Sequence, residues 1–130
     1  MTTNKDPLAS LFVDDAKAVD RQLLATLVAP YMSIDKSTGE FAFLPAFSEI
    51  NGNTAKIEIL LAGAKARSLY LNEPDGVTPN QIIATNIMAT GSVKSSLKKL
   101  ADTHKIKKDK EGRYTLPSYR ISELVKQFSN

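Results

Sequence analysis

One stretch of the chain, residues 54–71, is too apolar to form a helix with a solvated side. Its apolar residues are Ile57, Ile59, Leu60, Leu61, Ala62, Ala64, Ala66, Leu69 and Leu71. Because these positions lie all around a helix, little room remains for a polar face. The sequence therefore predicts a helix that is buried on several sides.

The size and composition of the chain allow one such core. A chain of 130 residues, 42% of them hydrophobic, can bury roughly two-thirds of its unfolded surface. It contains no cysteine, which excludes disulfides and thiolate metal sites. The beginning of the sequence does not have the pattern of a secretory signal, and no apolar run approaches the roughly 20 residues of a membrane span. We therefore expect a soluble, cytoplasmic protein.

The first part of the chain, residues 1–52, predicts a helix and a β-hairpin. The apolar positions of the helix are Phe12, Ala16, Val19, Leu23 and Leu27. Met32 and Ile34, then a polar run that ends in Gly39, then an alternating run from Glu40 to Leu44 predict a hairpin with a four-residue connection. Neither element can bury its own apolar face. This part either packs on the rest of the chain or forms a homodimer. Its candidate interface residues are Leu23, Leu27, Phe41, Phe43 and Phe47.

The second part, residues 53–130, contains the best-defined helix start in the sequence. Thr78, Pro79 and Gln81 form a capping box with proline at the first helical position, which predicts a short helix to about Asn86. A third helix opens near Ser92, and its apolar stripe consists of Val93, Leu97, Leu100 and Ala101. Strands at 105–108 and 113–116 follow as a hairpin, and Ser118 can cap a final helix. The expected fold class is α+β, mostly helical.

Charge is distributed unevenly along the chain. The net charge is +3, but residues 1–55 carry four basic and seven acidic side chains and are net −3. Residues 94–113 carry eight basic and three acidic side chains and are net +5. Such a concentration of positive charge indicates a surface for a polyanion. The acidic first part is better suited to face protein.

The order of the elements in residues 53–130 resembles the winged helix-turn-helix family of bacterial and archaeal transcription regulators. The run TPNQIIATNIMATGSVKSSLKKL is similar to the family pattern, in which a Ser-Pro or Thr-Pro start leads to an Ile and Gly-Ser-Val opens the recognition helix. The family's apolar core positions correspond to Ile82, Met88, Val93, Leu97 and Leu100. The run KIKKDKEGRYTLPSY is similar to the wing.

This sequence departs from the family in the turn between the two helices. It has Ile83 where the family usually has a small Ala, and Ile87 where the family usually has a Gly. A β-branched residue tolerates positive φ poorly. We therefore expect either a longer turn or a left-handed conformation at Asn86.

The resemblance implies how DNA would be bound. In this family the recognition helix enters the major groove and the wing lies along the neighbouring backbone or minor groove. Residues expected at the groove are Ser92, Lys94, Ser95 and Lys98, with Thr90 and the amide of Gly91 near a phosphate. Residues expected at phosphates are Lys99, Lys107, Lys108, Lys110 and Arg113. The recognition face has no Arg, Asn or Gln, so we expect affinity dominated by the DNA backbone.

The sequence offers little for catalysis. His104, the sole histidine, is interpreted as a structural or capping residue near a helix end. A phosphate-binding glycine loop, a metal-binding spacing and a dinucleotide fingerprint are all missing. We expect no enzyme activity, no metal and no cofactor. The leading hypothesis is a small protein that binds double-stranded DNA, either a transcriptional regulator or a mobile-element accessory factor. The alternative is a winged-helix adaptor that binds protein instead of DNA.

Overall fold

The computed structural model describes residues 6–128, so the outermost residues of the predicted parts 1–52 and 53–130 lie outside the described range. Within that range the chain is mostly helical and contains two small antiparallel hairpins, which confirms the predicted α+β class. No helix between residues 6 and 128 has the length and apolar character that crossing a membrane requires.

Seven α-helices and four short strands make up most of the described chain. The helices are α1 (Asp15–Ala18), α2 (Arg21–Val28), α3 (Pro45–Ser48), α4 (Asn53–Leu71), α5 (Pro79–Ala84), α6 (Thr90–Asp102) and α7 (Ser118–Phe128). The strands are β1 (Met32–Ile34), β2 (Phe41–Phe43), β3 (Lys107–Lys108) and β4 (Tyr114–Thr115). A short 3-10 helix, Pro7–Leu11, precedes α1.

Helix α4 is the centre of the core, as its composition predicts. Its residues from Ile57 to Lys65 are all buried, and α2, β1, β4 and α6 pack around it. The helix ends at Asn72, which adopts a left-handed conformation with φ of 56°. Gly63 lies where β1 crosses the helix, because a Cβ at this position would overlap the sulfur of Met32. The close approach of the Met32 side chain to α4 explains why a glycine occurs inside this helix.

The prediction of one continuous helix before Pro30 is wrong. The region consists of the 3-10 helix, α1 and α2, and Val19 is extended between α1 and α2. The carboxylate of Asp14 accepts the amides of Ala16 and Lys17, and that of Asp20 accepts the amide of Leu23. Each aspartate therefore starts a new helix, and local capping outweighs the helical spacing of the apolar residues.

The hairpin of β1 and β2 forms as predicted. Met32 pairs with Phe43 and Ile34 pairs with Phe41, while the Asp35 amide donates to the Glu40 carbonyl across a four-residue connection. The hairpin is fixed to α4 by Arg67. Its Nη1 donates to the Gly39 carbonyl at 2.8 Å, and its guanidinium lies 4.5 Å from the centre of the Phe41 ring.

The capping box before α5 is present in full. The Gln81 amide donates to the Thr78 hydroxyl at 3.2 Å, and the Thr78 amide donates to the Gln81 side-chain oxygen at 2.8 Å. Asn86 takes the left-handed position after α5, with φ of 59°, which is one of the two expected solutions for this turn. The chain therefore turns without requiring positive φ at Ile87, and α6 begins at Thr90, two residues before the predicted start.

Helix α6 ends in a Schellman motif built on the backbone of His104. The amide of His104 donates to the Ala101 carbonyl, the amide of Lys105 donates to the Leu100 carbonyl, and His104 has φ of 61°. The geometry agrees with the predicted structural or capping role of His104 at the end of a helix. The hydroxyl of Tyr119 donates to the His104 carbonyl at 2.6 Å, which joins α7 to the end of α6.

A backbone bridge connects the loop before α5 to the second hairpin. The amides of Val77 and Tyr114 each donate to the other's carbonyl, at 3.0 and 2.7 Å. Val77 is buried, although Pro74 and Gly76 just before it predict a loop over residues 72–77. The bridge gives β4 a neighbour on each side, and it fixes the hairpin relative to α5 and α6.

Candidate nucleic-acid interface

Helix α6 has one buried and one solvated side. Val93, Ser96, Leu97 and Leu100 are buried, so the helix is anchored by residues that recur at helical spacing. The residues on the other side are exposed, and they include Gly91, Lys94, Ser95, Lys98 and Lys99. Thr90 is exposed and Ser92 is partly exposed at the start of the helix. The structure thus brings the sequence-predicted residues of α6 to its solvated side and its first turn.

The N-terminus of α6 leaves its first amides available. Ala89 precedes the helix in an extended conformation, and its methyl side chain cannot accept a hydrogen bond from the first turn. The amides of Thr90, Gly91 and Ser92 therefore point out of a helix of 13 residues. Amides in this position, together with the helix dipole, attract an anionic group such as a phosphate.

One lysine of the exposed side of α6 is engaged by an acid. Nζ of Lys98 lies 2.8 Å from Oδ2 of Asp102, and both side chains are largely exposed. The hydrogen bond from Lys98 to Asp102 and the charge of that carboxylate raise the pKa of Lys98, so the ammonium is fully charged at neutral pH. Exposed pairs of this kind contribute little to stability, so Lys98 can exchange Asp102 for a phosphate at small cost.

The second hairpin presents a further group of cations. Lys107, Lys108 and Lys110 are exposed, and Arg113 is partly exposed. The ammonium of Lys108 lies 5.7 Å from the centre of the Tyr114 ring. The tip is held by Asp109, whose Oδ1 accepts the amides of Glu111 and Arg113, both at 2.9 Å. Asp109 thus shapes the turn, and the hairpin presents the basic residues Lys107, Lys108, Lys110 and Arg113 against the acids Asp109 and Glu111.

A buried ion cluster holds the framework behind this surface. Nζ of Lys65, on α4, lies 2.8 Å from Oδ2 of Asp15 and 2.7 Å from Oδ2 of Asp75. Oδ1 of Asp15 accepts the amide of Ser118 at 2.9 Å, and Oδ1 of Asp75 accepts the amide of Gly76. Lys65 is only 3% exposed. The cluster joins α1, α4, the loop before the Val77 bridge and the first turn of α7.

The ion cluster shifts the pKa values of Asp15 and Lys65 in opposite directions. Burial favours the neutral forms of both Asp15 and Lys65. For Asp15, the hydrogen bonds from Lys65 and Ser118 outweigh burial and lower the pKa. For Lys65, the hydrogen bonds to Asp15 and Asp75 outweigh burial and raise the pKa. Asp15 and Lys65 are therefore both charged at neutral pH.

A second buried pair joins α4 to α7. Arg120 donates from Nε to Oε2 of Glu58 at 2.6 Å and from Nη2 to Oε1 at 3.2 Å. Both side chains are at least nine-tenths buried. The hydrogen bond to Glu58 raises the pKa of Arg120, although burial acts in the opposite sense. The two-point contact fixes the angle at which α7 lies on α4.

These buried ionic residues were missed by sequence reasoning, although a signal was present. Glu58 and Lys65 are charged residues inside an otherwise apolar helix, seven positions apart. A charge in such a position is compatible with burial only if a partner neutralises it. Their partners come from distant segments, at positions 15, 75 and 120, so local patterns could not identify them.

The predicted protein-interface residues pack within the chain itself. Leu27 and Phe47 are 3% and 4% exposed. Leu23, Phe41 and Phe43 are partly buried against the same core, and the rings of Phe43 and Phe47 lie 4.6 Å apart between their centres. The first part of the chain thus covers α4 and α7 in the same molecule, and these five side chains do not form an exposed apolar patch.

The comparisons with known proteins return no match, since no family model, no curated protein and no solved structure is similar to this chain. Among residues 6–128, no group of three or more His, Cys, Asp or Glu side chains is placed to hold a metal ion.

Proposed function

We propose that this chain binds double-stranded DNA and that residues 53–130 act as a winged helix-turn-helix domain. In this interpretation α5 and α6 are the two helices of the motif, and β3 with β4 is the wing. The order of α4, the Val77 bridge, α5, α6 and the hairpin supports the assignment. The single observation that carries the proposal is the solvated side of α6, where Lys94, Lys98 and Lys99 are exposed opposite the buried stripe.

The proposed binding mode places α6 in the major groove. Ser92, Lys94, Ser95 and Lys98 would face base edges, while Thr90 and the amide of Gly91 would contact a phosphate at the start of the helix. Phosphate contacts elsewhere would come from Lys99, Lys107, Lys108, Lys110 and Arg113. Lysine meets phosphate as a point charge, and the strong bidentate readers of purines are missing from this face. Affinity should therefore come mainly from the DNA backbone.

The distribution of charge along the chain also supports the proposal that one side of the molecule faces DNA and the other side faces away from it. Residues 94–113 are net +5 and residues 1–55 are net −3. A duplex is a dense line of negative charge, so it attracts the first group and repels the second. The molecule should therefore bind DNA in one orientation. A small transcriptional regulator or a mobile-element accessory factor fits this surface.

The proposal is tested by measuring the binding of the full chain to a fluorescently labelled random-sequence duplex, with fluorescence anisotropy as the readout. Lys94→Ala on α6 and Lys108→Ala on the hairpin should each weaken binding roughly threefold to tenfold at moderate salt. The control is Lys17→Ala on α1, which removes the same charge from an exposed position outside the proposed interface. Equal effects of all three variants, or no binding of the wild-type chain at low salt, would overturn the proposal.

A further inference from the structure

The segment before α1 exposes apolar side chains that no other residue between 6 and 128 covers. Leu8, Leu11, Phe12 and Val13 are 59%, 73%, 82% and 77% exposed. Leu8 and Leu11 lie three residues apart on the 3-10 helix, so they share one side. Contiguous exposure of this kind differs from the single exposed apolar residues common on protein surfaces. We call residues 8–13 the apolar segment.

The base of the apolar segment is held in place. Asp15 lies two residues after it, and the carboxylate of Asp15 is bonded to Nζ of Lys65 and to the amide of Ser118. Asp14, between them, caps α1. The segment therefore starts from a fixed point on the surface. A segment presented in this way loses less conformational entropy when it binds than a free tail would.

The same chain also carries an open apolar groove. It lies between α2, β1 and the second half of α4, and its volume is about 310 Å³. A smaller depression of about 160 Å³ continues it towards Arg21 and shares Ala25, Ala66 and Tyr70 with it. Tyr70 is 69% exposed at this site. We call the two together the α2–α4 groove. None of the apolar-segment residues lines it in the single chain.

The charges around the two surfaces are complementary. Residues 5–14 carry the two acids Asp6 and Asp14 and one basic residue, Lys5, so the flanks of the apolar segment are net −1. The basic residues at the α2–α4 groove are Arg21, Lys36 and Arg67, against the single acid Asp35. The groove therefore favours an apolar ligand with acidic flanks, and the apolar segment has that character.

We propose that two copies of this chain associate by exchange, with the apolar segment of each copy docked in the α2–α4 groove of the other. The partner is thus a second copy of the chain. Reciprocal exchange produces two identical contacts related by a two-fold axis, and it closes the assembly at two chains. The proposed DNA interface on α6 plays no part in the contact, so this inference does not depend on DNA binding.

The first test is the mass of the full chain in solution, measured by sedimentation equilibrium as concentration is raised. The proposal expects the mass of two chains, and it expects association to weaken at least tenfold in Phe12→Asp and in Ala25→Glu, which block the segment and the groove respectively. The controls are Leu44→Asp before α3 and Ala84→Glu on α5, which place the same acids at exposed positions elsewhere. Unchanged association in either blocking variant would overturn the proposal, and so would a single-chain mass throughout.

A second test reports the environment of the segment and is independent of the blocking variants. The chain has no tryptophan, so Phe12→Trp introduces a unique fluorophore. The expected result is a shift of its emission to shorter wavelength as concentration rises, with no such shift in the control Tyr119→Trp. A blue-shifted emission under conditions in which the protein has the mass of one chain would mean that the segment docks in its own chain. That result would overturn the exchange, as would emission typical of exposed tryptophan at every concentration.

Discussion

The ammonium of Lys65 lies 2.8 Å from the carboxylate of Asp15, although fifty residues separate the two in sequence. The contact attaches the first described segments of the chain to the helix at the centre of the core. The same carboxylate caps the first turn of α7 through the amide of Ser118. One acidic side chain near the start of the sequence therefore positions two helices that come much later.

The first prediction concerns this carboxylate and pH. Asp15→Asn should lower the free energy of unfolding by about 1–2 kcal/mol at pH 7, since it removes charge from two hydrogen bonds at a partly exposed site. The pKa of Asp15 is lowered from 3.8, so its contribution is complete above about pH 4 and is lost as the pH falls through the folded-state value. Urea unfolding at several pH values should show the two proteins converging below pH 4. A constant difference down to pH 2 would contradict this account.

The second prediction concerns the Glu58–Arg120 pair. Glu58→Leu alone should destabilise the fold by about 3–5 kcal/mol, because it leaves the guanidinium of Arg120 buried without its main partner. Arg120→Met should have an effect of similar size. The double variant should be far less destabilised than the sum, since it leaves neither charge unpaired. Additive losses in thermal or denaturant unfolding would show that the two side chains contribute separately.

The third prediction concerns the end of α6. His104 has φ of 61°, a conformation that glycine adopts without steric cost. His104→Gly should therefore raise the free energy of unfolding by roughly 1 kcal/mol, and His104→Val should lower it by at least as much. The hydrogen bond from Tyr119 is kept in both variants because it is accepted by the backbone carbonyl. Destabilisation by glycine would indicate that the imidazole itself supports the fold.

The fourth prediction concerns the acid beside the proposed DNA interface. Asp102→Asn removes the partner of Lys98 and one negative charge that would oppose a phosphate. It should strengthen duplex binding roughly threefold to tenfold at low salt, and the gain should shrink as salt is added. The matched control is Glu49→Gln, an exposed acid that follows α3. Equal gains in both variants would indicate a general charge effect, and a loss in Asp102→Asn would show that Asp102 positions Lys98.

Elements that depend on residues close together in the sequence could be predicted from local patterns. The α4 helix and the capping box at Thr78 could be predicted because each depends on residues within a few positions of one another. For the turn after α5 the sequence predicted either a longer turn or a left-handed conformation at Asn86, and Asn86 has the left-handed conformation. The prediction of one continuous N-terminal helix was wrong because Asp14 and Asp20 cap two separate helices.

The remaining features could not be predicted because they depend on contacts between distant segments. Val77 lies in a loop by its sequence, and only pairing with Tyr114 makes it a bridge. The solvated lysines of α6 were predicted from periodicity, because exposure is the complement of the buried stripe. The pairing of Lys98 with Asp102 was within reach as well, since the two are four positions apart on one helix. The partners of Lys65 and Glu58 could not be predicted, because they lie in other segments of the chain.

The most direct test of the DNA-binding account is the salt dependence of duplex affinity. The logarithm of the association constant of the wild-type chain should fall linearly with the logarithm of salt concentration, with a slope of roughly −4 to −7 per bound chain. Each of Lys99→Ala and Lys108→Ala, which remove a proposed phosphate contact, should reduce the steepness by about one unit, whereas Lys17→Ala should leave it unchanged. A slope near zero, or undetectable binding at low salt by a correctly folded chain, would contradict the account.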